Sequence, residues 1–276
     1  MPIKHPARRH CRFWIAAGWV SVWCASAWLT HAADKFTTGS VFIGAPAGWT
    51  PEQTPIDFLD VVGLQTKARW RQLYRAPPPT PSTDRTRAAF TLGALVGDGF
   101  LALAAEDVQQ FRNTNQEILG YCRVLGLSDK VSPRLMAMAK LAEMNKWGDL
   151  RQEAVDGHQE LTRLLREQRD DDLAILVDLG AWMRVIEMSA ALATAAPEPS
   201  VKPLCIGSLE LLRDLKQRFS QLSKPAQQHE TLIGVGDMLD YLIRNWSNPA
   251  NNPPSQEFVT KTNDKLKALM RKLTMK

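Results

Sequence analysis

The segment from Asp171 to Ala195, DDLAILVDLGAWMRVIEMSAALATA, constrains the fold more than any other part of the chain. Turned at about 100° per residue, it puts Leu173, Leu176, Val177, Gly180 and Met183 on one side with Arg184 and Glu187. Ile175, Ala181, Trp182 and Val185 line the reverse. A helix that is apolar nearly all round belongs in the middle of a bundle, because no side of it faces water without cost. The rest of the chain must therefore supply helices that cover it.

It does so in a punctuated series. Periodicity and start and stop residues predict helices over 55–75, 84–105, 108–125, 133–145, 149–169, 171–195, 204–222, 225–246 and 256–273. Pro55 suits a first turn, Asp57 and Asp60 suit the positive end of a helix dipole, and Asp84 offers an N-cap. The breaks are APPPTPST, Gly126-Leu127-Ser128, Trp147-Gly148, APEPSVKP and NPANNPP, all rich in residues that stop or cannot continue a helix. The expected fold is all-α: a multi-helix bundle or irregular helical array of about nine helices, after a short irregular N-terminal arm. Leu92-Gly93-Ala94 and Leu179-Gly180-Ala181 sit in similar apolar helices and hint at a duplicated hairpin, which adds no function.

The first 33 residues are of another kind. Lys4, Arg8, Arg9 and Arg12 precede the uncharged run Phe13 to Leu29, and small residues end it at Ala32-Ala33, the order of a secretory signal peptide. The other reading is a membrane anchor of short span. This leader holds four of the 34 basic residues and none of the 29 acidic ones, so the chain beyond it is close to neutral. The basic balance of the whole sequence thus belongs to the leader, and no nucleic-acid partner is expected. The segments are read as a signal peptide (1–33), an arm with first helix and proline-rich connector (34–83), a helical core (84–246), and a Pro/Asn-rich linker with a basic amphipathic helix (247–276). Export places the mature chain in a periplasm or outside the cell. Its two remaining cysteines, Cys122 and Cys205, are there read either as a disulfide or as two buried thiols.

Three internal residues are ligand-binding candidates: Arg184, Glu187 and Asp98. Arg184 and Glu187 lie three apart in the apolar central helix, where they either neutralise each other or receive an anionic ligand. Asp98 interrupts AAFTLGALVGDGFLALAAED on a stripe of small and polar residues. Such a stripe meets water or admits a close neighbouring helix, a use that also suits Gly93 and Gly97. Asp237 shares its face with Glu230 and Arg244 and is expected to be solvated, while His158, at the edge of an apolar face, is expected to pack.

The chemistry of known catalytic motifs is missing. Beyond the leader only His158 and His229 remain, neither placed three residues after a glutamate as a di-iron bundle needs. No His-Glu-x-x-His, haem attachment, nucleophile elbow, phosphate loop or dinucleotide glycine pattern occurs. No catalytic residue, cofactor or metal is therefore expected. The expected function is binding or scaffolding by an exported, non-catalytic helical protein, with an unknown protein or envelope partner. The alternatives are a helical carrier of an apolar or anionic small molecule, and an enzyme with an Asp/Glu/Arg site assembled from distant helices.

The last helix supplies the partner-surface candidates. Val259, Thr262, Leu266, Leu269 and Leu273 recur at steps of three and four, a docking seam too short for an independent coiled coil. Lys261, Lys265, Lys267, Arg271 and Lys272 outnumber Glu257 and Asp264 on the remaining surface. They serve the helix dipole, or they meet an acidic surface such as anionic lipid or an acidic protein.

Overall fold

The central helices are ordered by four turns of one kind. They join α2 (Arg85–Ala104), α3 (Val108–Val124), α4 (Ser128–Glu143), α5 (Trp147–Glu167) and α6 (Asp171–Ala195). Each turn contains one residue of positive φ: Glu106 (48°), Gly126 (73°), Asn145 (54°) and Arg169 (63°). After each, a backbone N–H reaches back over the end of the helix: Asp107 to the Ala102 carbonyl at 3.0 Å, Leu127 to Cys122 at 2.8 Å, Lys146 to Leu141 at 2.9 Å and Asp170 to Leu165 at 3.0 Å. This is the Schellman closure, which satisfies carbonyls the helix end leaves open and reverses the chain within two or three residues. Successive helices therefore pack as neighbours, and α6 comes back onto α2.

In this computed structural model the described residues are 53–66, 68–78, 80–195, 208–245 and 255–274. The signal-peptide reading and most of the N-terminal arm lie outside them, as do Cys205, the APEPSVKP segment and the NPANNPP segment of the linker. The chain divides into Met1–Val41 and Phe42–Lys276, and every described residue belongs to the second unit. Among the described residues the fold is all-α, as the sequence predicts, with ten helices and no strand.

The contact between α2 and α6 is the most extensive in the chain. Residue numbers rise together along it: Gly93 faces Val177 and Ala181, and Gly97 faces Ala181 and Arg184. The two helices are thus parallel, as four reversals require. Their backbones meet. A Cβ on Gly93 would lie 1.9 Å from the Val177 carbonyl oxygen, and one on Gly180 would lie 2.2 Å from that of Phe90. The small-residue stripe serves helix approach, and α2 runs unbroken through Gly97-Asp98-Gly99. By length and apolarity α2 also qualifies to cross a membrane, but Ala88 through Leu103 are all buried inside the protein.

The remaining helices cover this pair. α1 (Pro55–Thr66) lies on α6 and α2, α7 (Leu209–Gln221) on α6, α8 is the single turn Lys224–Gln227, and α9 (Ile233–Asn245) lies on α7. The last helix, α10 (Gln256–Thr274), packs on α6, α2 and α9, with Val259, Thr262, Leu266 and Leu273 of the expected seam buried and Leu269 partly so.

Three boundaries differ from expectation. The first helix stops at Thr66 rather than Arg75, and the chain folds back so that the Trp70 ring fills the space a side chain on Gly63 would need. α4 starts at Ser128, five residues before the expected start, and carries Pro133 in its second turn; the donor Pro133 lacks would have met the carbonyl of Asp129, an exposed residue open to water. The expected helix over 225–246 is two helices, because His229 Nδ1 accepts from the Thr231 N–H at 3.3 Å and competes with the helical ladder.

Candidate functional site

The close approach of α2 to α6 brings Asp98 opposite Arg184, and with it two of the three ligand candidates into contact. Arg184 Nε donates to Asp98 Oδ1 at 2.7 Å, and Arg184 Nη1 donates to Glu187 Oε2 at 2.7 Å. All three candidates thus form one group. The third direction of the guanidinium is also filled: Nη2 donates to the Leu73 carbonyl at 2.8 Å. Each guanidinium nitrogen is thus engaged inside the protein, by two carboxylates and a carbonyl, which accounts for three of its five N–H donors.

A fourth charge, missed by the sequence reading, completes the group. Arg75 donates from Nε to Asp98 Oδ2 at 2.8 Å, its Nη2 lies 2.7 Å from the same oxygen as an ion pair, and its Nη1 donates to Thr274 Oγ1 at 3.2 Å. Arg75 sits on the strap between the Trp70–Leu73 turn and the proline run, so the network ties four parts of the chain together: strap, α2, α6 and the end of α10. Nothing in its local sequence marks it. The only hint was position, since an arginine directly before APPP is held where the extended prolines leave it.

The electrostatics follow from two cations and two anions that sum to zero. Burial pushes the Asp98 carboxyl up, but Arg184 and then Arg75 outweigh it and hold it below the usual carboxylate range. Burial opposes the charge on Arg184, and Asp98 and Glu187 overcome it, so the guanidinium stays protonated at every working pH. Glu117, on the α3 side, has its carboxyl raised by burial and by the nearby Asp98, against a smaller pull from Arg75.

Two clefts flank the strap. One, about 550 Å³, opens between the strap and α3, with Tyr74, Pro78, Glu117 and Tyr121 on its walls. The other, about 580 Å³, opens between the strap and the C-terminal half of α10. Arg184 and Glu187 line its inner end, and Lys267 and Arg271 line its mouth. Residues picked out separately in the central and the last helix therefore share one cleft.

The other candidates are placed as follows. Lys261, Lys265, Lys267, Arg271 and Lys272 are all exposed, so the outward face of α10 is basic, with Lys265 Nζ lying 5.0 Å from the centre of the Tyr241 ring. Asp237 is exposed, as expected. His158 is buried edge-on to Phe100, with Nε2 3.7 Å from Asp178 Oδ1; burial lowers its pKa, against a raising pull from Asp178. Cys122 is buried with a free thiol, and burial pushes it up to about 12. Its expected partner Cys205 lies outside the described residues. Among the described residues no group of three or more His, Cys, Asp or Glu converges as metal ligands would.

Comparison with family models, curated proteins and solved structures finds no match to this chain.

Proposed function

We propose that this chain is an exported, non-catalytic helical protein that binds another macromolecule through the outward face of α10. The observation that carries the reading is how charge is divided. The internal charges Arg75, half-buried, and Asp98, Arg184 and Glu187, buried, pair with one another in holding the fold. The exposed cations Lys261, Lys265, Lys267, Arg271 and Lys272 face solvent on a chain that, without its leader, is nearly neutral. Fixed internal pairs build a scaffold, and a localised basic face attracts an acidic partner. Export rests on the charged, apolar and small-residue order of residues 1–33.

The test is capture from native envelope or periplasmic material by the mature chain, compared with a variant in which all five cations are replaced by glutamate. Truncating α10 is the wrong perturbation, because its seam is buried and its loss would open the core. The reading expects capture that weakens with salt and is lost in the variant while circular dichroism is unchanged. Equal capture by both proteins would overturn it. Intact-mass analysis of the processed protein should show a start near Ala33 or Asp34. Retention of Phe13 to Leu29 would instead indicate an anchored protein.

A further inference from the structure

Resting on that reading, we infer that the cleft between the strap and α10 is where an acidic segment of a partner protein docks, its carboxylate held by Lys267 and Arg271. These two cations lie four residues apart, one turn of α10, and both are exposed at the cleft mouth. Asp264 is the acidic residue on the same wall. Deeper in, Arg75 and Arg184 are balanced by Asp98 and Glu187, so the mouth keeps an excess of one positive charge that no internal carboxylate absorbs.

The cleft is more than a basic patch. Met188, Ala191, Ala268 and Met270 give it apolar wall, and its volume of about 580 Å³ lies in the range of clefts that enclose a ligand rather than graze it. Mixed walls of this kind accept a carboxylate with a neighbouring apolar side chain, as in a short peptide stretch that alternates Glu and Leu. A membrane fits less well. An interfacial helix needs a free apolar face to insert among lipids, and on α10 that face is already spent on α6, α2 and α9.

The experiment measures binding of a fluorescein-labelled octapeptide of alternating Glu and Leu, by anisotropy at low salt. The comparison set is the matching Lys and Leu peptide and vesicles of phosphatidylglycerol in phosphatidylcholine. Two double variants are compared with wild type: Lys267→Glu with Arg271→Glu at the cleft, and Lys261→Glu with Lys272→Glu on the other exposed stripe. The inference expects the acidic peptide to bind wild type, tenfold or more weakened binding in the cleft pair, and less than a threefold change in the other pair. It is overturned if both pairs weaken binding equally, if the acidic peptide does not bind, if vesicles bind in preference to it, or if the cleft pair instead abolishes self-association of the chain. Loss of capture from native material in the fivefold variant, together with equal effects of the two pairs, would leave the basic face as a partner surface and remove only the cleft.

Discussion

Replacing Asp98 by asparagine keeps the shape of the side chain and removes one charge from a buried set that sums to zero. Arg184, whose side chain is 4% exposed, and Arg75, at 19%, are then left with Glu187 as the only anion of the group. Removing one member of a buried pair costs ~3–5 kcal/mol, because the survivor is held without a counter-charge. Arg75 stands at the edge and can turn toward water, so the lower end, about 3 kcal/mol, is expected. For a domain of this size that corresponds to a fall in Tm of ~6–12 °C, read by calorimetry, with a matching shift of the urea midpoint. The sign with pH is also fixed. Asp98 is held ionised below the usual carboxylate range, so its contribution is present at and above that range and is lost only as pH falls through its lowered value. The gap between wild type and Asp98→Asn should therefore be the same at pH 8 and at pH 5.5. A companion variant, Asp98→Leu with Arg75→Met, Arg184→Met and Glu187→Leu, removes all four charges of the group and should return to within about 1 kcal/mol of wild type, since apolar replacement of a whole buried ionic group is often neutral. An Asp98→Asn protein that melts with the wild type would refute the network as a structural tie.

Gly93→Ala should destabilise by more than ~1–3 kcal/mol despite alanine's better helix propensity, because backbone rather than a flexible side chain blocks the Cβ; Gly148→Ala, with open space around it, should be neutral or gain up to ~1 kcal/mol, and urea unfolding compares the two. His158 is held neutral by burial, so the unfolded chain takes up its proton first as pH falls. Stability should accordingly drop from about pH 6.5 downward, and the drop should flatten in His158→Phe when urea midpoints are compared at pH 7.5 and 5. Arg169→Gly relieves a left-handed residue on an exposed turn and should raise stability by ~0.5–1 kcal/mol; a loss would mean that its side chain makes a contact worth more than the strain.

The fold was legible where composition and physics agree. The all-apolar segment over 171–195 is the buried α6, and Asp84 caps α2 by accepting from the backbone of Thr86 and Arg87. Turn chemistry was read less well. Gly126 announces its turn, but Glu106, Asn145 and Arg169 take the same left-handed conformation without glycine, and Gly148, read as a break, lies inside α5. There tertiary packing overrides a local preference of about 1 kcal/mol. The candidate site was half legible. Periodicity paired Arg184 with Glu187 along one helix, but it carries no information about what lies across a helix crossing. The stripe singled out Asp98, but its pairing with Arg184, 86 residues away, and the role of Arg75, on a strap with no periodicity, were out of its reach.

The way α6 closes onto α2 bears on how the chain reaches its folded state. Contacts between α2 and α3, α3 and α4, α4 and α5, and α5 and α6 link segments that are adjacent in sequence, so each costs little chain entropy and can form early. The pairing of α6 with α2 is different: Asp98 and Arg184 must be brought together across 86 residues. That distance shrinks to a short spatial gap only once the intervening hairpins stand. Substitutions in the α3–α4 and α4–α5 turns should then act on the folding rate, whereas those at the Gly93–Gly180 crossing should act on the unfolding rate. A crossing that closes last opens first. The two helices at the centre of the native protein would thus be guarded by a contact absent from the barrier to folding, and the lifetime of the folded chain would be set there.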